Sequence, residues 1–166
     1  EKRGKRMDEM MEILNGLETG EYFGYQGEIF NMAPIKLTPV PDFHVPLLVG
    51  GHAKPALRRA ARLGDGWIAA GGKIEEYKAM IDQINAFRKE YGRDHLPFQI
   101  QAMSHDSFSV DGLMQLHAIG VTEVIIAFRD VYGQEADDKS VEEKTQMINW
   151  YADNMIKPFR EQVAAA

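Results

Sequence analysis

Residues 46–67 have the sequence PLLVGGHAKPALRRAARLGDGW, and this stretch decides how the chain folds. An apolar run at 47–49 predicts a short strand. The strand leads through Gly50-Gly51 into a helix that begins near Pro55, because proline is compatible with the first turn of a helix. The stretch therefore predicts a strand, a tight turn and a helix in direct succession.

The same alternation of apolar run and helix continues to the end of the chain. Further strands are predicted at residues 66–70, 98–103 and 121–128, and the helices that follow them at 74–91, 113–119 and 140–158. Gly64 ends the helix that begins near Pro55, and Ser140 with Glu143 forms a capping box that opens the last helix. Strands that are each followed by a helix imply parallel pairing with right-handed crossovers. Both an open doubly wound sheet and part of a closed barrel have this pattern. A complete (β/α)8 barrel needs about 250 residues, so 166 residues supply only half of one.

The first 45 residues follow a different pattern. Apolar residues at helical spacing predict an amphipathic helix over 3–18, aromatic and glycine residues over 22–30 predict a hairpin, and several prolines indicate an extended connector. We expect one partial barrel domain over 1–163, made of a helix in 1–20, a hairpin and connector in 21–45 and four β/α units in 46–163. Residues 164–166 are three alanines, which we interpret as a tag remnant.

Composition restricts the classes of partner. The net charge is −6 and basic residues are scattered among acidic ones, so we expect no nucleic-acid or membrane partner and favour a small-molecule substrate. The absence of cysteine excludes disulfides and thiolate metal sites, and the histidines lack metal-ligand spacing. No apolar run approaches the roughly 18 residues of a membrane helix and no signal peptide precedes the first helix, so we expect a cytoplasmic protein.

The strongest candidate for a ligand-binding site in this sequence is the pair Gly50-Gly51. Backbone N–H groups and the helix dipole at the start of a helix can hold an anion such as a phosphate. Two adjacent glycines are equally explained by a tight turn alone. After the later strands, Gly71-Gly72 and His105 lie on the rim where a substrate or cofactor tail could bind, although ordinary loops contain such residues too.

Taken as a whole, residues 46–67 resemble the luciferase-like monooxygenase family, in which a strand ending in Gly-Gly, a helix with Arg-Arg-Ala-Ala and the sequence Leu-Gly-Asp-Gly-Trp occur in this order. Four other stretches agree with the family in the same order, namely RGKRMDE at 3–9, Tyr25-x-Gly27-x-x-Phe30, YGRD at 91–94 and GVTEVI at 120–125. The resemblance extends over nearly the whole chain.

This resemblance implies an α/β fold, the C-terminal half of a (β/α)8 TIM barrel with strands five to eight. Family members bind FMN or F420 at the C-terminal end of the barrel, and the Gly-Gly turn after strand five lies against the cofactor phosphate. The implied cofactor-binding residues are Gly50, Gly51, His52 and Ala53, whereas no catalytic acid or base can be named.

The implied activity is that of a flavin- or F420-dependent oxidoreductase or monooxygenase, inactive as a half barrel alone. The alternative is a non-catalytic binding or assembly module that forms a homodimer or docks on a missing N-terminal half barrel. In either case Asp65 is interpreted as fixing a turn and Trp67 as packing in the core.

Overall fold

A computed structural model describes residues 2–129, 133 and 136–165 of the chain. The helices are α1 (Arg3–Glu18), α2 (Lys54–Leu63), α3 (Ile74–Glu90), α4 (Val110–Ala118), α5 (Val141–Tyr151) and α6 (Lys157–Ala165). The strands are β1 (Phe23–Gln26), β2 (Asn31–Ile35), β3 (Leu48–Gly50), β4 (Gly66–Ala70), β5 (Gln99–Met103) and β6 (Glu123–Val124). A 3₁₀ turn covers His105–Phe108, and a π-helical segment, Ala152–Ile156, joins α5 to α6.

The β/α units form a parallel four-stranded sheet in the order β3-β4-β5-β6. Val49 pairs with Trp67 in one strand pair, and Ala102 pairs with Val124 in another. Strands that are consecutive in sequence are therefore neighbours throughout. A doubly wound sheet reverses its strand order at a switch point, whereas consecutive barrel strands do not, so this order matches part of a barrel.

Most predicted elements are present close to their predicted bounds. The last strand of the parallel sheet, β6, is an exception, because it is much shorter than the strand predicted over 121–128. Only Glu123–Val124 are assigned to β6. Its partner β5 ends at Met103, and Ile125 makes the last backbone bond to it, donating to the Ala102 carbonyl at 2.9 Å. An outer strand has one neighbour, so its ladder ends where that neighbour ends.

The chain divides into two compact units, of which the first comprises residues 2–68 and 82–99. Helix α2 is amphipathic in this unit: Leu57, Ala60 and Ala61 are buried while Arg58 and Arg62 are exposed. A hairpin is present, as the antiparallel pair β1–β2, but only β1 lies within the predicted range of 22–30, because β2 (Asn31–Ile35) falls in the residues predicted as the start of the connector.

The second unit comprises residues 69–81 and the described residues from 100 onward. Its core contains Tyr77, Leu116 and Tyr151. The predicted capping box of the last long helix is confirmed, because Ser140 Oγ accepts the Glu143 N–H at 3.2 Å and the Glu143 carboxylate accepts the Ser140 N–H at 2.7 Å. The assignment of residues 1–163 to a single domain stays a prediction. Of the three terminal alanines, two end helix α6 and Ala166 lies outside the described residues.

Candidate functional site

The turn between β3 and α2 is exposed over all four residues that the sequence analysis selected, Gly50 to Ala53. Gly51 has a φ of +115°, a conformation that residues with a side chain rarely adopt. A methyl group built on Gly50 would meet no atom within 4 Å, so a ligand can approach the backbone closely there.

Helix α2 begins directly after this turn without a side-chain cap. Its N-cap residue is Ala53, which has no side-chain acceptor, and Pro55 lies in the first turn. Most helices satisfy some of their first backbone N–H groups with a Ser, Thr, Asn or Asp side chain. The start of α2 therefore suits an anionic ligand better than a helix whose N-terminus carries its own acceptor.

Trp67 holds the turn in place. Its indole N–H donates to the Gly51 carbonyl at 2.9 Å, and its side chain is fully buried. The His52 ring contacts the Trp67 ring edge-on, with centroids 5.9 Å apart. The sequence interpretation of Trp67 as a packing residue is thus correct but incomplete, because its N–H also fixes the peptide that follows Gly51.

Asp65 fixes the segment before β3, in agreement with its predicted structural role. Its carboxylate accepts the Leu47 N–H at 2.9 Å and lies 3.0 Å from Nε2 of His44. The other ring nitrogen of His44 lies 2.7 Å from the Glu18 carboxylate. Hydrogen bonds to Asp65 and then to Glu18 raise the pKa of His44 above its usual range.

The arginines of α2 bind carboxylates and are not directed at the Gly50–Ala53 turn. Arg59 and Arg62 both contact Asp8, the latter at 2.9 Å. Arg58 pairs with Glu90 at 3.2 Å and stacks over a phenylalanine ring. These contacts join α2 to its neighbours in the first unit.

In the second unit, the other two sequence candidates, Gly71-Gly72 and His105, line one cleft of about 630 Å³. Ser104 is buried beside it, and its hydroxyl donates to the Asp106 carboxylate at 2.9 Å. The sequence had placed these residues on the rim beyond the strands, but nothing in it indicated that they share a cleft. No group of metal-ligating side chains is present in the described part of the chain.

A sequence profile of luciferase-like monooxygenases matches residues 1–109 of the chain. The chain belongs to the luciferase-like monooxygenase family. An uncharacterized protein of Mycobacterium tuberculosis is 44% identical over 155 residues, which cover 93% of this luciferase-like chain and 53% of that protein. The chain thus spans about half the length of this relative.

Further comparisons link the chain to relatives in sequence and to one solved structure. An FMNH2-dependent dimethylsulfone monooxygenase of Pseudomonas putida is 30% identical over 88 residues, 52% of this chain and 24% of that protein. The structure of a coenzyme F420-dependent tetrahydromethanopterin reductase from Methanopyrus kandleri superposes with a TM-score of 0.73 over 94% of this luciferase-like chain and 63% of that chain. At 13% identity this second likeness shows the fold alone. An F420-dependent glucose-6-phosphate dehydrogenase of Microbacterium testaceum is 31% identical over 74 residues, 45% of this chain and 22% of that protein. The relatives similar in sequence thus include an FMNH2-dependent and an F420-dependent enzyme.

Membrane insertion through a helix is not supported within the described residues, since every helix there is too short or too polar to cross a bilayer.

Proposed function

We propose that this chain supplies strands five to eight of a (β/α)8 barrel in a flavin- or F420-dependent oxidoreductase, and that the turn from Gly50 to Ala53 binds the phosphate of the cofactor. The observation that carries the proposal is the geometry of this turn in a chain of the luciferase-like family. An exposed glycine pair follows a parallel strand and precedes a helix without a side-chain cap. Active sites of barrel enzymes form on the loops at this end of the strands.

The residues present fit a phosphate group. Gly50 leaves open space in front of the backbone, and the φ of Gly51 requires glycine at that position. The positive end of the α2 dipole favours a negative charge at the turn. Trp67 holds the Gly51 peptide through its N–H, so the turn is fixed before a ligand binds.

FMN or F420, when bound, would supply the redox chemistry of the reaction. The chain's own part is to hold and orient the phosphate end: backbone groups of Gly50 to Ala53 would bind it, and His52 would border it. The proposal assigns no proton transfer to a residue of this chain. Because relatives of both kinds exist, the choice between FMN and F420 is left to experiment.

A second candidate function is that of an assembly module, and the sheet edges favour it. Within the described residues, β3 and β6 are the outer strands of the parallel sheet and each has one neighbour in it. Exposed strand edges promote pairing with another chain. In this alternative the half barrel forms a homodimer, or docks on an N-terminal half barrel, without binding a cofactor.

Titration with FMN and, separately, with riboflavin tests the phosphate assignment, because riboflavin lacks the phosphate. We expect saturable binding of FMN that is at least about tenfold tighter than that of riboflavin, the effect of one or two charge-assisted hydrogen bonds. Gly50→Ala places a methyl group where the structure leaves open space, and its backbone conformation suits alanine. This variant should lose most of the preference for FMN while it binds riboflavin as before.

Gly92→Ala is a control for the loss of a glycine outside the turn: its new methyl group also meets open space, but its φ of +64° strains alanine, so the urea stability of this variant is measured beside its FMN affinity. It should bind FMN like the unchanged chain. F420 is titrated in the same way to decide the cofactor. Binding of neither cofactor, or an FMN preference that survives Gly50→Ala, would contradict the phosphate assignment and leave the assembly function as the better account.

A further inference from the structure

The second unit contains a cleft of about 630 Å³ that no step of the proposed phosphate binding uses. It lies beyond the carboxyl ends of β4 and β5 and beside the segment that follows β6. Loops at this end of parallel strands carry the active sites of barrel enzymes. The cleft is therefore in the right position to receive a substrate.

One side of the cleft is apolar and partly aromatic. Phe108 and Phe128 meet edge-to-face with their centroids 6.1 Å apart, and each also contacts the ring of Tyr151. Tyr151 is buried and donates its hydroxyl to the Ser107 carbonyl at 2.7 Å. Because the two phenylalanines rest on a fixed third ring, they form a firm surface for an apolar or flat molecule.

Among the described residues, the ionisable side chains that line the cleft are two basic ones, His105 and Arg129. Each is exposed. Within residues 2–129, 133 and 136–165, neither makes an ion pair with a carboxylate. A guanidinium without a carboxylate partner at the rim of an apolar cleft is suited to bind an anion.

Three carboxylates among the described residues near the cleft already have partners. Glu76, beside Gly72, accepts the backbone N–H of Lys73 at 2.9 Å. Asp106 accepts the hydroxyl of Ser104, and Asp137, which is within electrostatic range of Arg129, is paired with Lys144 at 3.2 Å. None of the three lines the cleft.

We propose that this cleft binds a substrate with a compact apolar or aromatic body and one anionic group, a carboxylate or a sulfonate, which Arg129 and His105 hold while Phe108 and Phe128 contact the body. This inference rests on the proposed oxidoreductase function, of which it names the substrate class. Gly71 contributes open space at the same rim, because a methyl group built there would meet no atom within 4 Å.

Titration of the full chain with three small probes, followed by amide NMR spectra, tests the inference. The probes are benzoate, benzenesulfonate and the neutral benzyl alcohol. Each contains one phenyl ring, and they differ in the group attached to it. We expect both anions to bind about tenfold tighter than benzyl alcohol, as for one hydrogen bond to a charged group. The largest shifts should fall on amides around Gly72, His105 and Phe128, and the ratio of the two anions tells carboxylate from sulfonate.

Arg129→Gln should remove most of the preference for the anions and leave benzyl alcohol unaffected, and His105→Gln should remove part of it. The matched control is Arg160→Gln, which removes an exposed arginine of the same unit that does not line this cleft. Equal binding of all three probes, shifts centred elsewhere, or a preference that survives both cleft variants would overturn the inference.

The same variants separate this inference from the cofactor assignment. If Arg129→Gln leaves the FMN-to-riboflavin affinity ratio unchanged, the anion site is distinct from the phosphate turn, as proposed. A fall in that ratio would show that Arg129 holds the cofactor phosphate and would overturn the substrate assignment. If the chain binds the anionic probes but neither FMN nor F420, the cofactor assignment is contradicted, whereas the proposed anion site still stands.

Discussion

At the scale of single residues, His44 shows how one side chain fixes an irregular segment. The connector between the hairpin and β3 contains little regular structure, yet His44 lies between the carboxylates of Glu18 and Asp65. The next residue, Val45, donates its N–H to Glu18 as well. This backbone hydrogen bond, ahead of the contact with His44, lowers the pKa of Glu18.

The raised pKa of His44 predicts a pH-dependent contribution to stability. A histidine whose pKa is higher in the folded state stabilises the fold fully below its unfolded pKa of about 6.5, and this contribution is lost as the pH rises through the folded value. We expect the free energy of unfolding to fall from pH ~6.5 upward, and His44→Gln to remove this slope. Because the ring is half-exposed, solvent limits the effect to on the order of a few tenths of a kcal/mol.

Urea denaturation at a series of pH values measures this slope. His95→Gln is the control, since His95 is also exposed but lies in another loop. A slope that persists in His44→Gln would show that other groups cause it.

At the scale of elements, Glu9 joins helix α1 to the hairpin. This carboxylate is only 5% exposed and accepts backbone N–H groups from Glu28, Ile29 and Phe30 at 2.9 to 3.2 Å. It completes the hydrogen bonds of the β1–β2 turn with both of its oxygens. An extended hairpin of this kind has few apolar contacts of its own, so a buried acceptor is an effective anchor.

We therefore expect Glu9→Gln to lower the free energy of unfolding by about 2–3 kcal/mol, because an NH2 group replaces an oxygen that accepts backbone N–H groups. Urea denaturation measures the loss. Glu21→Gln changes an exposed glutamate next to the same hairpin and should cost less than about 0.5 kcal/mol. Equal losses in the two variants would contradict the anchoring role of Glu9.

At the scale of the whole molecule, the chain spans about half of its mycobacterial relative and presents a four-stranded parallel sheet with two outer strands. Parallel sheets are normally covered or closed on themselves, because their edges and faces are otherwise exposed. Two copies of such a half barrel could cover the same surfaces on each other in a symmetric dimer.

Light scattering at micromolar concentration should accordingly give a mass near twice the 18.8 kDa of the chain, and we expect little or no FMN- or F420-dependent turnover by the chain alone. A single monomeric species would contradict self-completion and favour docking on an N-terminal half barrel. Robust turnover by the chain alone would contradict the proposal that half of the active site comes from elsewhere.

The order of the helices and strands follows from local signals in the sequence. Apolar periodicity, the glycines at 50–51 and Gly64, and the Ser140–Glu143 capping pattern are local signals, and they act on neighbouring residues. The helices, the family motif and most of the strands, together with the glycine turn of the proposed phosphate site, were therefore predictable from the sequence.

Features that depend on contacts between residues distant in sequence became visible in the three-dimensional structure alone. The strand order, which separates a barrel segment from a doubly wound sheet, is a property of pairing and not of any one strand. The short length of β6 follows from where its neighbour ends, and the bond from Trp67 joins strand β4 to the turn that follows β3. The anchoring role of Glu9 and the cleft that contains His105 and Arg129 could not be predicted for the same reason. The burial of a side chain and the shared lining of a cleft arise only when separate segments meet in space.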